Sequence, residues 1–157
     1  MKTIYRIVSF AFIFVVIGCA SPAHDTRAIS AAGTEQKLVL ELANYGEALR
    51  RMDYDQVANF FVESGEVTHS GGEPVRGRES IRKFLKSFAE FKVLEYAIQA
   101  ESIVVEGSAA KQTGFFSQTV VIPNGNTVRI RGRFEASWIQ SSNGQWNLAR
   151  MQTAPDK

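Results

Sequence analysis

Cysteine is almost missing from this chain: Cys19 is the only one in 157 residues, so no disulfide can close within it. The two histidines, His24 and His69, stand far apart in sequence, and a structural metal would have to be assembled mainly from carboxylates. No metal site and no cofactor is expected, since neither metal-ligand spacing nor a glycine-rich phosphate loop is present. A Ser-His-Asp order is missing too. Charge of one sign is scarce: a net +2 gives no argument for a nucleic-acid partner. The apolar run from Ile7 to Ile17 falls short of the roughly 20 residues a membrane-spanning helix needs.

What that short run does resemble is an export signal. Lys2 and Arg6 precede it, and the small residue Gly18 and then Cys19 follow it. The tetrapeptide Val16-Ile17-Gly18-Cys19 resembles a bacterial lipobox, whose cysteine is acylated and becomes the new N-terminus. The resemblance implies a signal peptide over residues 1–18 and a membrane-lipid anchor on Cys19. Several acyl chains, each worth about 0.8 kcal/mol per buried methylene, anchor stably where one chain is marginal. Ala20 and Ser21 lack the aspartate that would retain such a protein at an inner membrane. The expected location is therefore the outer membrane of a bacterial envelope, facing the periplasm. Residues 19–33, rich in Ala, Ser, Asp, Thr and Pro, carry no apolar period and read as a flexible tether, with His24 solvated within it.

A single domain is expected over residues 34–154. Thr34 is a plausible N-cap, and Leu38, Leu42, Tyr45, Leu49 and Met52 repeat at helical spacing to form one apolar stripe. Gly46 costs on the order of 1 kcal/mol within that helix and leaves room for another element to come close. A second short helix, capped by Asp55, carries Val57, Ala58, Phe60 and Phe61. Asp53 and Asp55 sit at a helix boundary, where acids usually cap rather than act as an acid–base pair. A short strand from Val67 to Ser70 and a turn at Gly71-Gly72-Glu73-Pro74 lead to a third helix. It bears Ile81, Phe84, Leu85 and Phe88 on one side and Arg82, Lys83 and Lys86 on a solvated other side.

From Val93 onward the period changes to two. Strands are expected over Val93–Glu106, Ala109–Ile122, Thr127–Ser141 and Gln145–Gln152, separated by Gly107-Ser108, Asn124-Gly125 and Asn143-Gly144. The first exceeds the usual strand length, so a bulge is expected near Gln99 to Ser102, which would curl the sheet. On the third, Val128, Ile130, Gly132, Phe134, Ala136 and Trp138 share one face, while Arg129, Arg131, Arg133, Glu135 and Ser137 share the other. The apolar set should meet the helices. The arginines should be balanced by acids in water.

Helices in the first half and a curled meander in the second give an α+β class: three N-terminal helices packed on a curled, mainly antiparallel sheet. This pattern resembles the cystatin-like cone of nuclear transport factor 2, ketosteroid isomerase and the SnoaL-like polyketide cyclases. The residues that carry the resemblance are the Tyr45–Phe61 helical pair, the segment Glu73 to Ile81 and the closing strand Gly144 to Leu148. The fold hosts enzymes and plain binding domains alike. By resemblance to the isomerases, a helix-one tyrosine that donates to an oxyanion falls on Tyr45, and the general-base position falls on His69 in place of an aspartate. Their second acid has only Glu135 as a counterpart, on the outward face.

Two readings follow. In the preferred one, a noncatalytic envelope lipoprotein holds a small apolar ligand, or serves a partner, through a cavity lined by Phe60, Phe84, Phe134 and Trp138. In the alternative, a lyase or isomerase uses His69 as base and Tyr45 as oxyanion donor. A homodimer through the outer sheet face is implied by the resemblance alone. If Cys19 carries the anchor, Cys19→Ala should move the protein from the membrane to the soluble fraction of a cell lysate. A variant that still fractionates with lipid would refute the anchor.

Overall fold

The computed structural model describes the backbone of residues 26–69 and 71–156, with side chains from residue 32. Cys19, the signal segment 1–18 and residues 19–25 of the expected tether lie outside the described residues, as does Ser70. The element order is α1 (Thr26–Arg50), α2 (Tyr54–Asn59), β1 (Phe61–His69), β2 (Val75–Arg76), α3 (Arg78–Lys86), β3 (Lys92–Glu106), β4 (Ala109–Val121), β5 (Thr127–Gln140) and β6 (Trp146–Pro155). This is the expected α+β cone. One six-stranded sheet runs in the order β2-β1-β6-β5-β4-β3, antiparallel throughout except where β1 lies parallel to β6.

α1 begins at Thr26 rather than Thr34, so the expected tether gives way to helix eight residues early. Ala28, Ala31 and Ala32 are strong helix formers, and the sequence there has no apolar period that would announce a helix. The buried stripe is Leu38, Leu42, Tyr45 and Ala48, with Leu49 partly buried. At its end Met52 takes φ +58°. The Met52 N–H donates to Leu49 O at 2.9 Å and the Asp53 N–H to Ala48 O at 3.0 Å, the Schellman pattern that satisfies orphan carbonyls.

Asp53, not Asp55, caps α2: its carboxylate accepts from the Gln56 N–H at 3.0 Å. Asp55 instead sits in the first turn and bridges Arg82 and Lys86 of α3, each at 2.9 Å. The basic side of α3 is therefore tied to α2 rather than merely solvated. α2 stops one residue before Phe60, and Phe61 opens β1, so the early strand is longer than expected and has absorbed the end of the second helix. Between Phe61 and Glu66 its register slips against β6. Arg78 supports this irregular stretch, donating to Phe61 O from Nε at 2.8 Å and from Nη2 at 2.5 Å, while its Nη1 reaches Glu63.

The meander matches the period-two reading closely, and β3 slips register between Ala100 and Ser102, inside the expected bulge. Two glycines let the strands bend there. A Cβ on Gly114 would collide with Gln99 O and stand 2.9 Å from both Ala100 Cα and a ring carbon of Phe134. On Gly132 it would stand 2.6 Å from Pro155 Cα. Outside the curl, Arg129 reaches Glu95 at 3.4 Å, Arg133 reaches Glu101 at 3.5 Å, and Lys111 reaches Glu135 at 2.8 Å. Arg129 and Arg133 of the stripe are balanced in this way, with no such partner for Arg131 among the described residues, and these exposed pairs contribute little to stability.

The inner face divides along its length. One end is filled by Ala110, Phe134, Ala136, Trp138, Trp146 and Leu148 beneath α1. Gln112 is fully buried there, and neither its amide nor the indole N–H of Trp138 or Trp146 has a hydrogen-bond partner among the described residues. Each such group costs about 1–3 kcal/mol, which apolar contacts in this half must offset. The other end of the face stays open. Because the bend at Gly114 is closed by backbone that cannot step aside, Gly114→Ala should lower the unfolding free energy by on the order of 3 kcal/mol in a urea titration. Gly33→Ala, in open space on α1, should be neutral or slightly stabilising in the same assay.

Candidate functional site: an apolar cavity

The unfilled end of the cone encloses a cavity of about 270 Å³. Its sheet wall continues the same inward faces that pack the other half: Val93 and Tyr96 from β3, Phe116, Gln118 and Val120 from β4, and Val128 and Ile130 from β5. α1 contributes Tyr45 and Leu49. Phe84 and Leu85 of α3, with Phe88 and Phe91 just beyond it, form the side away from the sheet. Phe88 stacks edge-on to Phe84 at 5.1 Å and to Phe91 at 5.6 Å, a small aromatic wall that holds its shape.

Exposure gives the cavity a direction. Tyr45, Phe116 and Met151 are nearly or fully buried and make the floor, whereas His69, Phe88 and Val128 are exposed and mark the mouth. Tyr45 meets the rings of Phe60 and Phe61 edge-on at 5.8 and 6.2 Å, near the start of β1. His69 ends that strand, its Nδ1 2.8 Å from Thr153 Oγ1. Phe61 and His69 pair with Leu148 and Thr153 on β6, positions about 17 Å apart at the usual strand rise.

The expected residues are thus sorted by depth. Tyr45, His69 and Phe84 line the one cavity. Phe134 and Trp138 do not: they point inward as expected but lie in the packed half, beyond Gly132. Phe60 packs against that core and supports Tyr45 from behind. Sequence reasoning missed Tyr54, Tyr96, Gln118 and Thr153. Tyr96 and Gln118 face each other across β3 and β4, a pairing that the hairpin register could have given. Among the described residues no group of three or more His, Cys, Asp or Glu is placed to hold a metal ion.

A profile of the SnoaL-like domain matches residues 39–152, and the chain belongs to that family. No curated protein is significantly similar to it in sequence. Among solved structures it is similar to a protein of unknown function from Mycobacterium tuberculosis, at TM-score 0.74 and 19% identity over 89% of this chain and 79% of that one. A ketosteroid isomerase-like protein from Erwinia carotovora atroseptica is similar at TM-score 0.69 and 17% identity, covering 75% and 92%. An NTF2-like protein with a cystatin-like fold from Novosphingobium aromaticivorans is similar at TM-score 0.66 and 16% identity, covering 88% and 92%. At these identities the likeness is one of fold.

Burial raises the phenols of Tyr45 and Tyr96 above the ordinary tyrosine value of 10, and at Tyr96 the charge of an ionised Tyr45 would raise it further. Both remain protonated donors at physiological pH. An unfolded chain would release these protons first, so the stability they contribute is complete below about pH 10 and falls above it. Tyr45→Phe should make that fall shallower by about 1.4 kcal/mol per pH unit, measured by urea unfolding at stepped pH.

Proposed function

We propose that this SnoaL-like domain is a noncatalytic module that holds a small, mostly apolar molecule, or serves a partner through it, on a lipoprotein anchored by Cys19 in the bacterial envelope. The observation that carries the reading is the cavity itself. It has a hydrocarbon and aromatic wall, a buried floor and an exposed mouth, and it lies just below the roughly 300–1,000 Å³ usual for ligand pockets. The anchor rests on the sequence around Cys19, and the outer membrane facing the periplasm is the location that goes with it. A homodimer through the outer sheet face belongs to the same proposal. Phe115, exposed on that face beneath the Arg133 guanidinium at 4.5 Å from the ring centre, would lie within it.

The alternative is a lyase or isomerase with His69 as general base and Tyr45 as oxyanion donor. It is favoured by their sharing one cavity, and their placement at mouth and floor weighs against it. A base and an oxyanion donor must both come within hydrogen-bond reach of one reacting substrate.

The neutral dye N-phenyl-naphthylamine should brighten on binding the wild-type domain, and Val120→Trp, which puts an indole into the cavity from its sheet wall, should abolish the signal while circular dichroism stays unchanged. His69→Ala should leave dye affinity within a factor of about two. An equal signal from wild type and Val120→Trp would remove the cavity from the account. Turnover of a bound molecule that His69→Ala abolishes would establish the enzyme instead.

A further inference from the structure

Six of the cavity's lining residues carry a polar side-chain atom: Tyr45, Tyr54, His69, Tyr96, Gln118 and Thr153. Three of these groups are already engaged. His69 and Thr153 hold each other, and the Tyr54 hydroxyl reaches Phe88 O at 3.4 Å. The hydroxyls of Tyr45 and Tyr96 and the amide of Gln118 have no hydrogen-bond partner among the described residues.

These three are neighbours. Tyr96 and Gln118 are directly paired across β3 and β4 with both side chains on the inner face, where opposed residues stand about 5 Å apart. α1 crosses that pair at Gly46, where an added Cβ would lie 3.5 Å from the Tyr96 ring, and Tyr45 is the next residue on the helix. Tyr45 is only 5% exposed, so a buried donor points into an otherwise apolar chamber. No Lys, Arg, Asp or Glu is among the lining residues.

We infer that Tyr96 and Gln118, with Tyr45, form a polar subsite that recognises an uncharged hydrogen-bond acceptor, a carbonyl or hydroxyl oxygen, on a compact apolar ligand. The inference rests on the cavity being a binding site and adds the class of molecule it takes. Two phenol donors and an amide in a low-dielectric pocket match one neutral oxygen. A carboxylate would be desolvated there with no cation to compensate it. A ligand lacking the oxygen would leave the three groups as they are. One supplying it would pair with three groups that have no protein partner among the described residues, Tyr45 buried and Tyr96 and Gln118 half-buried in the cavity wall, which favours the ligand that carries the oxygen. Burial keeps both phenols protonated, so this recognition should not change between pH 6 and pH 9 on their account.

The test is isothermal titration of wild-type protein, Tyr96→Phe and Gln118→Leu with three molecules of one skeleton: tetralin, α-tetralone and tetralin carboxylate. Wild type should bind the ketone and the hydrocarbon, and the carboxylate at least tenfold more weakly than the ketone. Each substitution should weaken the ketone by about 5- to 10-fold and leave the hydrocarbon within a factor of two. Parallel losses for ketone and hydrocarbon, unchanged ketone affinity, or carboxylate binding as tight as ketone would overturn the subsite while the cavity reading stands. Wild-type protein that binds none of the three overturns the cavity reading, and the subsite falls with it.

Discussion

Everything about the open end of this protein depends on how closely α1 can lie on β3. At Gly46 the helix has no side chain, and a methyl group there would come within 2.8 Å of Ile98 Cγ2. The glycine weakens the helix locally, by on the order of 1 kcal/mol relative to alanine, and is kept where contact between layers is tightest. That contact fixes the height of the helix above the sheet. It also brings Tyr45 beside Tyr96, so the same approach that closes the core sets two tyrosines next to each other in the chamber wall.

The sheet answers this constraint by bending. Gly114 and Gly132 remove side chains where β3 folds over β4 and where β6 folds over β5, and the register slip at Ala100 to Ser102 adds the extra residue that a tight curl needs. On one side of the bend the inner face is covered by α1 and packed solid. On the other, α3 packs against β1 and β2, and with the aromatic residues after it faces β3 to β5 across the cavity. A single strand such as β5 therefore serves two purposes in turn: Val128 and Ile130 bound the empty space, and Phe134, Ala136 and Trp138 fill the core.

This division explains what could be read from the sequence. Alternation gives the face of a strand, so the inward residues of β5, the four long strands and the bulge were legible, and the family resemblance that they carried is borne out. Alternation says nothing of position along the strand. Phe134 and Trp138 were assigned to the cavity because they point inward, although they lie past the bend. The start of α1 was missed because the sequence from Thr26 to Gly33 has no apolar period to detect. The cap of α2 went to Asp55 in place of Asp53 because both acids suit an N-terminus, and only the Gln56 N–H separates them. Tyr96 and Gln118 were passed over because each is an unremarkable residue alone. Their significance comes from register, which joins them across a hairpin turn.

The parallel pairing of β1 with β6 has a further consequence. The sheet is a simple meander everywhere else, yet β1 has to wait for the last strand of the chain, and His69 finds Thr153 only 84 residues later. Contacts that far apart close slowly, because the entropy of the intervening loop must be lost before they form. During folding, then, the hairpins from β3 to β5 can assemble early, while the mouth of the chamber stays unformed until β6 has docked beside β1.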